Sequence, residues 1–282
     1  MQWDKVKNIL LVILLLVDGF LAVSIGGRFW TTARQQKDFA EEMTIVLARR
    51  GVIYNLEHGV APQNSILPLE VDRDRTAEEN FARALLTGEI SAHSTEDGEA
   101  RFTGDNGSVV WQTDGTVEVT VSGFEDLTDS SARKRKQYAR ELLKRSGIAL
   151  RGGTLTAREN TSDVVLRATV ASMPAFDRAL TVGFQKDGRI SITGKWTFGT
   201  PYAATSDEPR IYSVADALLD FVAQANGVTR IDDIRLGYQL VLGSSGRLQF
   251  APHWRIQTDR GVYFVDALKK TVTQSANIVD SE

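Results

Sequence analysis

A long apolar run near the N-terminus limits how this chain of 282 residues can be arranged. Residues 9–25 are apolar at all but three positions, which are Asp18, Gly19 and Ser24. A bilayer core is crossed by roughly 20 helical residues, and residues 6–27 provide that length. The run exceeds the apolar core of a signal peptide, about 7–15 residues, although Ala22-Val23-Ser24 loosely fits a cleavage site. We therefore predict a retained transmembrane helix, with a cleaved signal peptide as the alternative.

Aromatic and basic residues flank this run. We predict that four of them are interfacial anchors at headgroup level, namely Trp3, Lys5, Lys7 and Trp30. Basic residues lie on both sides, so the positive-inside rule gives no clear orientation. Because the leading segment is too short to hold a domain, we place the N-terminus in the cytoplasm. The rest of the chain is then extracytoplasmic, attached to the cell membrane by a single span.

Asp18 is unusual because it lies within the apolar run. A carboxylate near the bilayer centre costs about 2.5–3.5 kcal/mol on insertion scales, so such groups usually face a partner helix. One interpretation is that the span slides and tolerates Asp18. The other, which we prefer, is that Asp18, with Leu14 and Leu21, contacts the transmembrane helix of another protein.

The composition excludes several classes of function. The chain is 42% hydrophobic and 24% charged, which is typical of globular proteins and not of disordered ones. Its net charge of −3 argues against a nucleic-acid partner. With no cysteine and only three histidines (His58, His93 and His253), thiol chemistry is excluded and a histidine metal site is hard to build. We expect a non-enzymatic protein without a cofactor or metal.

The remaining patterns predict an α+β fold. Residues 28–50 predict a juxtamembrane helix with apolar residues at helical spacing, which are Phe39, Met43, Val46 and Leu47. Three more helices are predicted: one from a Thr76–Glu79 capping box to Gly88, one over residues 130–146, and one from a Ser213–Asp216 capping box to Gly227.

Alternating apolar and polar residues predict strands between these helices, over residues 117–121, 180–184, 190–192 and 236–242. Asp114-Gly115 and Asp187-Gly188 are typical of two-residue type I′ hairpins. Half-polar strands joined by hairpins indicate antiparallel sheets with one solvated face and helices on the other. We divide the chain into the N-terminal tip and span (1–27), the juxtamembrane helix (28–50), and two extracytoplasmic subdomains (51–128 and 129–282).

The second and third predicted helices each end in a glycine followed by a hydrophobic residue, and strands follow both. This repetition indicates a duplicated helix–meander unit, although ordinary helix capping produces the same pattern.

Few residues outside the span indicate chemistry. Asp72 and Asp74 imitate the start of a calcium loop, but the required glycine and glutamate are missing. His253 lacks acidic or thiol neighbours in the sequence and is predicted to be structural. The basic run Arg133–Lys136, continued by Arg140, Lys144 and Arg145, fits either a solvated helix face or a surface for an anionic lipid or wall polymer.

Both ends of the chain carry motifs that resemble a known family. The chain opens on Trp3-Asp4-Lys5, Lys7, an apolar run over 9–16, Asp18 and Leu21, and this opening is similar to the start of the YycI family of regulatory membrane proteins. The segments 251–256 (APHWRI) and 263–267 (YFVDA) are similar to the ending of YycI-like and PepSY-like extracytoplasmic modules.

This resemblance implies a regulator of the Yyc/Wal two-component system of low-GC Gram-positive bacteria. Such proteins associate with the sensor histidine kinase and with the sister protein YycH, and they modulate signalling that governs cell-wall metabolism. Two alternatives stay open: a membrane-tethered PepSY-like inhibitor or chaperone of an exported enzyme, and a tethered cell-wall hydrolase.

Overall fold

A computed structural model of the chain describes residues 41–54, 66–203, 211–243 and 246–275. These residues form an α+β fold, as predicted. No helix among them is long and apolar enough to cross a membrane. The predicted span over residues 6–27 and most of the predicted juxtamembrane helix lie outside the described residues.

Four helices are described: α1 (residues 41–48), α2 (Arg75–Leu85), α3 (Ala132–Arg145) and α4 (Val214–Gln224). The predicted Ser213–Asp216 capping box begins α4. The predicted Thr76–Glu79 box is wrong, because Asp74 caps α2 by accepting a 2.9 Å hydrogen bond from the backbone N–H of Ala77. Thr76 therefore lies inside the first turn of the helix instead of preceding it.

Fifteen strands complete the described fold: β1 (Ile53–Tyr54), β2 (Leu69–Val71), β3 (Ser91–Ser94), β4 (Ala100–Gly104), β5 (Gly107–Trp111), β6 (Thr116–Val121), β7 (Thr154–Ala157), β8 (Asp163–Val170), β9 (Met173–Phe184), β10 (Ile190–Lys195), β11 (Tyr202–Ala203), β12 (Arg230–Leu242), β13 (Leu248–Thr258), β14 (Gly261–Asp266) and β15 (Val272–Gln274). The predicted strands correspond to β6, β9, β10 and β12.

Eight of these strands form the central sheet, in the order β3-β4-β5-β6-β10-β9-β8-β7, with every pair antiparallel. Helices α2 and α3 cover one face of it. Phe81 of α2, Leu143 of α3 and Leu180 of β9 are completely buried in the core between them. Helices cover one face of an antiparallel sheet here, but the sheet as a whole is mixed and not antiparallel as predicted, because β12 pairs in parallel with both β1 and β9.

The remaining strands form the terminal sheet, which is built around the long antiparallel pair β12–β13. Strands β2 and β14 both flank β13, β15 extends β14, β11 extends β2, and β1 pairs in parallel with β12. Helices α1 and α4 pack on this sheet, where Leu47, Phe221 and Phe250 are completely buried. The described residues thus contain two hydrophobic cores, one for each sheet.

The two sheets meet at β9. Ala175 of β9 forms a parallel bridge with Tyr238 of β12, so the longest strand of the central sheet also contacts the terminal sheet. The predicted boundary after residue 128 falls between β6 and α3, which both belong to the central layer. The division into subdomains stays a prediction.

A helix followed by a four-stranded antiparallel meander occurs three times among the described residues. Helix α2 precedes β3–β6, α3 precedes β7–β10, and α4 precedes β12–β15. The sequence indicated the unit for α3 and α4. The unit that begins with α2 was not recognised.

Neither predicted hairpin is a two-residue turn. Gln185 pairs with Arg189 across the three residues 186–188, although both Asp187 and Gly188 adopt positive φ (63° and 67°). At Asp114-Gly115 only the glycine does, and Gln112 pairs with Thr116 across a three-residue loop. The predicted two-residue turn is therefore wrong there, because a type I turn with glycine in the left-handed position joins β5 to β6 instead.

Candidate functional site

A groove of about 700 Å³ opens where the uncovered face of the central sheet meets the β14–β15 hairpin. Strands β6, β8, β9 and β10 form its floor, and residues from β12, β14 and β15 form its wall. Cavities of this size are typical of ligand-binding sites. We define this space as the groove.

The floor of the groove follows from the period-two pattern of the strands. In β6, Val119 and Val121 face the helices and are buried, whereas Thr116 and Glu118 face the groove. In β10, Thr193 and Lys195 likewise line the groove. The solvated face that the sequence predicted for these strands is therefore the floor of the candidate site.

Two aromatic rings form an apolar position in this otherwise polar groove. The ring centroids of Phe176 on β9 and Phe264 on β14 lie 5.6 Å apart, with 43° between the ring planes. Both residues are half-buried and line the groove. A pair of aromatic rings beside hydrogen-bonding side chains can anchor one apolar side chain and orient the rest of a ligand.

An ion pair lies at one side of the groove. The ammonium of Lys195 on β10 is 3.0 Å from Oδ2 of Asp114, in the loop between β5 and β6. Burial alone would raise the pKa of Asp114, but hydrogen bonds from Thr116 and the ammonium of Lys195 outweigh it and hold the pKa below its usual value. Asp114 therefore neutralises the ammonium of Lys195, which lines the groove.

Asp177 joins the two sheets inside the groove. Its Oδ1 accepts a 2.8 Å hydrogen bond from the backbone N–H of Leu240 on β12. Burial raises the pKa of Asp177 to about 6, against the lowering effects of the Leu240 N–H and the Lys195 charge. Asp177 therefore bridges the two sheets in surroundings that favour its neutral, protonated form.

We expect Asp177→Asn to stabilise the folded chain at pH 8 by about 1–3 kcal/mol and to have little effect at pH 4. The folded pKa of about 6 lies above the ordinary 3.8, so the favourable contribution of the neutral carboxyl is lost as pH rises through 6. Asparagine keeps an oxygen that accepts the Leu240 N–H but carries no charge. Urea unfolding followed by tryptophan fluorescence at both pH values measures the difference.

The exposed Asp187→Asn variant is the control for this measurement, since that residue lies in the β9–β10 turn outside the groove. It should leave the difference between the two pH values unchanged. Equal stability of Asp177→Asn and the parent chain at pH 8 contradicts the prediction.

The site residues predicted from the sequence lie elsewhere. The predicted helix contacts (Leu14, Asp18 and Leu21) and interfacial anchors (Trp3, Lys5, Lys7 and Trp30) are outside the described residues. His253 is buried, and its Nδ1 lies 3.0 Å from the carbonyl oxygen of Ala251, which agrees with a structural role. Within the part of the chain that the structure describes, no group of three or more His, Asp or Glu residues is arranged to hold a metal ion.

Helix α1 links the predicted tether to the terminal sheet. Met43 and Leu47 are buried in the core of that sheet, and Ile53 N–H bonds to the carbonyl oxygen of Thr229 beside β12. Val46, which shares the helical spacing of these residues, is 39% exposed and lies outside that contact.

No protein-family model matches the chain, and no curated protein does. Similar solved structures include an uncharacterized protein from Eubacterium rectale (11% identity, 79% of this chain and 90% of that one, TM-score 0.46). They also include YycH from Bacillus subtilis (13%, 70% and 52%, TM-score 0.42) and the C-terminal domain of YpeB from Bacillus megaterium (12%, 74% and 100%, TM-score 0.33).

At these identities and TM-scores, no function carries over from those proteins to this chain. The likeness to YycI specifically stays a prediction from the sequence.

Proposed function

We propose that this chain is a membrane-anchored, non-enzymatic regulator. It binds a sensor histidine kinase together with a YycH-like membrane protein and modulates two-component signalling of cell-wall metabolism. The N-terminal sequence pattern supports this proposal. The observation that carries it is the burial of Met43 and Leu47 of α1 in the core of the terminal sheet.

That packing fixes α1 to the folded domain. A regulator shifts a kinase equilibrium only by binding one kinase state better than the other. We propose that the juxtamembrane helix predicted over residues 28–50 passes a change in the position of the domain to the tether, because α1 is fixed to the core. The membrane helix is then the element that contacts the kinase.

The groove supports the binding role of the outer domain. Its threonine and glutamine side chains, the Phe176–Phe264 pair and the Lys195–Asp114 ion pair suit an extended peptide segment, which offers apolar side chains and backbone polar groups in turn. We propose that the outer domain binds such a segment of a partner protein there.

A tethered wall hydrolase is the second candidate. It is favoured by Asp177 in the groove and by Asp114, which pairs with Lys195 of the groove, because the pKa values of these two carboxyl groups shift in opposite directions, as in acid–base pairs. Against it, Asp177 is bonded to the Leu240 N–H and Asp114 to Lys195, so both carboxylates already hold the fold together. Release of soluble fragments from purified cell wall, abolished by Asp177→Asn, would favour the hydrolase.

The proposed function predicts that Asp18→Leu weakens association of the full chain with the kinase about three- to tenfold in a membrane two-hybrid assay. A polar contact between membrane helices is worth roughly 0.6–1.4 kcal/mol, which corresponds to that range. Ser24→Leu, a polar-to-apolar change in the same run, is the matched control. Unchanged association of Asp18→Leu, at equal protein levels, contradicts the predicted contact.

A further inference from the structure

Helix α3 presents a row of cations along one side. Arg133, Lys136, Arg140 and Lys144 follow one another at spacings of three, four and four residues, which places them on one flank of the helix. Lys136 is half-exposed and the other three are exposed. At 1.5 Å rise per residue the row is about 16 Å long. We define these four residues as the basic stripe.

The neighbouring cations of α3 have partners within the fold. Lys134 forms a 2.6 Å ion pair with Glu125, and the buried Arg135 donates to the carbonyl oxygen of Thr128. For the basic stripe, no ion pair is found among the described residues. The carboxylate of Glu141 on the same helix instead accepts a hydrogen bond from Gln137.

Helix physics disfavours this spacing of charge. The first turn of α3 has no acidic residue and Arg133 there opposes the macrodipole, whereas Lys144 in the last turn is favoured by it. Lys136, Arg140 and Lys144 also repel one another at i,i+4 spacing. In a chain of net charge −3, a stripe that opposes local stability indicates that its charges serve an external contact.

The apolar residues of α3 limit which kind of partner the basic stripe can contact. Ala139, Leu142 and Leu143 of α3 are buried against the central sheet, and no large exposed apolar residue of the described chain lies on this helix. The exposed side of α3 therefore has no large apolar side chain that would insert into a pocket or a hydrocarbon layer. Such a row fits a broad surface of negative charges, on which each Lys or Arg contributes through charge alone.

We propose that the basic stripe docks the outer domain on the anionic phospholipid surface of the membrane. This inference rests on the proposed membrane anchoring, which brings the domain next to that surface. Docking holds the domain in one orientation relative to the bilayer. It is weakened by salt, because exposed charges are screened within about 8 Å at physiological ionic strength.

The test uses the purified full chain with vesicles of phosphatidylcholine alone or with phosphatidylglycerol added. After flotation, acetylation of lysines is followed by mass spectrometry. We expect Lys136 and Lys144 to be labelled at least threefold more slowly on the anionic vesicles, and the difference to vanish at high salt. Lys186, exposed in the β9–β10 turn, is the internal control and should be labelled equally on both.

Charge reversal provides a matched comparison. Lys136→Glu with Arg140→Glu should abolish the protection of Lys144, whereas Lys186→Glu with Arg189→Glu, which changes net charge equally, should preserve it. Equal labelling of the stripe lysines on both kinds of vesicle overturns the proposal. Protection by soluble polyphosphate but not by anionic vesicles also overturns it, and assigns the stripe to a soluble polyanion.

Flotation separates this inference from the proposed anchoring. A chain that floats with both kinds of vesicle is anchored, and the labelling then reports on the stripe alone. Flotation only with the anionic vesicles supports the stripe and contradicts the anchor. Flotation with neither contradicts both.

Discussion

Replacing Glu78 with alanine is expected to destabilise the folded chain by about 3–5 kcal/mol, since it leaves Arg73, whose side chain is only 14% exposed, without its counter-charge. Glu78 on α2 is 4% exposed, and both of its carboxylate oxygens accept hydrogen bonds from Arg73, at 2.6 and 2.9 Å. Arg73 also donates to the carbonyl oxygens of Gly98 and Trp111. The pair therefore ties α2 to the strands of the central sheet, and urea unfolding measures its loss.

Glu79→Ala is the matched control, because Glu79 is adjacent in sequence and forms an exposed ion pair with Arg83. Exposed pairs contribute about 0–1 kcal/mol, so this variant should remain near the stability of the parent chain. Arg73→Met combined with Glu78→Leu should recover much of the loss, since both charges are then removed together. Equal effects of Glu78→Ala and Glu79→Ala contradict the assigned role of the buried pair.

Local sequence signals were sufficient to predict most of the described helices. The predicted Ser213–Asp216 capping box begins α4, and Val214, Leu218 and Phe221 are buried along the core face of this helix. These signals act within one or two helical turns, so the residues that specify the helix are close together in the sequence. The N-cap of α2 was misplaced because Asp74 and Thr76 compete at neighbouring positions.

Pairing between distant strands could not be predicted in the same way. Strand β6 pairs with β10, about 70 residues later, and β9 bridges to β12 through Ala175 and Tyr238. Period-two patterning identifies which residues share a face but not which strands become neighbours. The sequence therefore predicted a polar sheet face without predicting the groove that it forms with β14 and β15.

The chemistry of Asp177 illustrates the same limit. In the sequence Asp177 is one of 36 acidic residues, and nothing in its spacing distinguishes it. Its raised pKa arises from burial at the junction of two sheets and from a bond to Leu240, 63 residues away. Polar residues on alternating strand positions, such as Glu118 and Lys195, were the signal that could have indicated a functional face.

Leu47→Ala is expected to weaken the attachment of α1 to the terminal sheet by about 2–5 kcal/mol, which is the usual cost of truncating a buried leucine. Leu47 is completely buried, and its carbonyl oxygen accepts hydrogen bonds from Arg50 and Val52, so it lies at the point where α1 turns into β1. Local opening there exposes the backbone at Arg49 and Arg50. Trypsin cleavage after these two arginines, followed by mass spectrometry, should accelerate roughly 30-fold or more.

Ile45→Ala provides the matched control, because Ile45 lies on the same helix but is 57% exposed. Substitutions at such positions usually change stability by no more than about 0.5 kcal/mol, so cleavage should stay near the rate of the parent chain. Similar cleavage of the Leu47→Ala and Ile45→Ala variants contradicts the assigned role of Leu47.

The same variant separates partner binding from regulation under the proposed function. Leu47→Ala leaves residues 6–27 unchanged, so association with the kinase in the membrane two-hybrid assay should persist. Regulation of kinase output should nevertheless be lost, because movements of the outer domain are no longer passed to the tether through a packed helix. Retained regulation in a variant whose α1 is demonstrably detached would show that coupling does not pass through α1. Loss of association would instead place the kinase contact in the outer domain and not in the membrane.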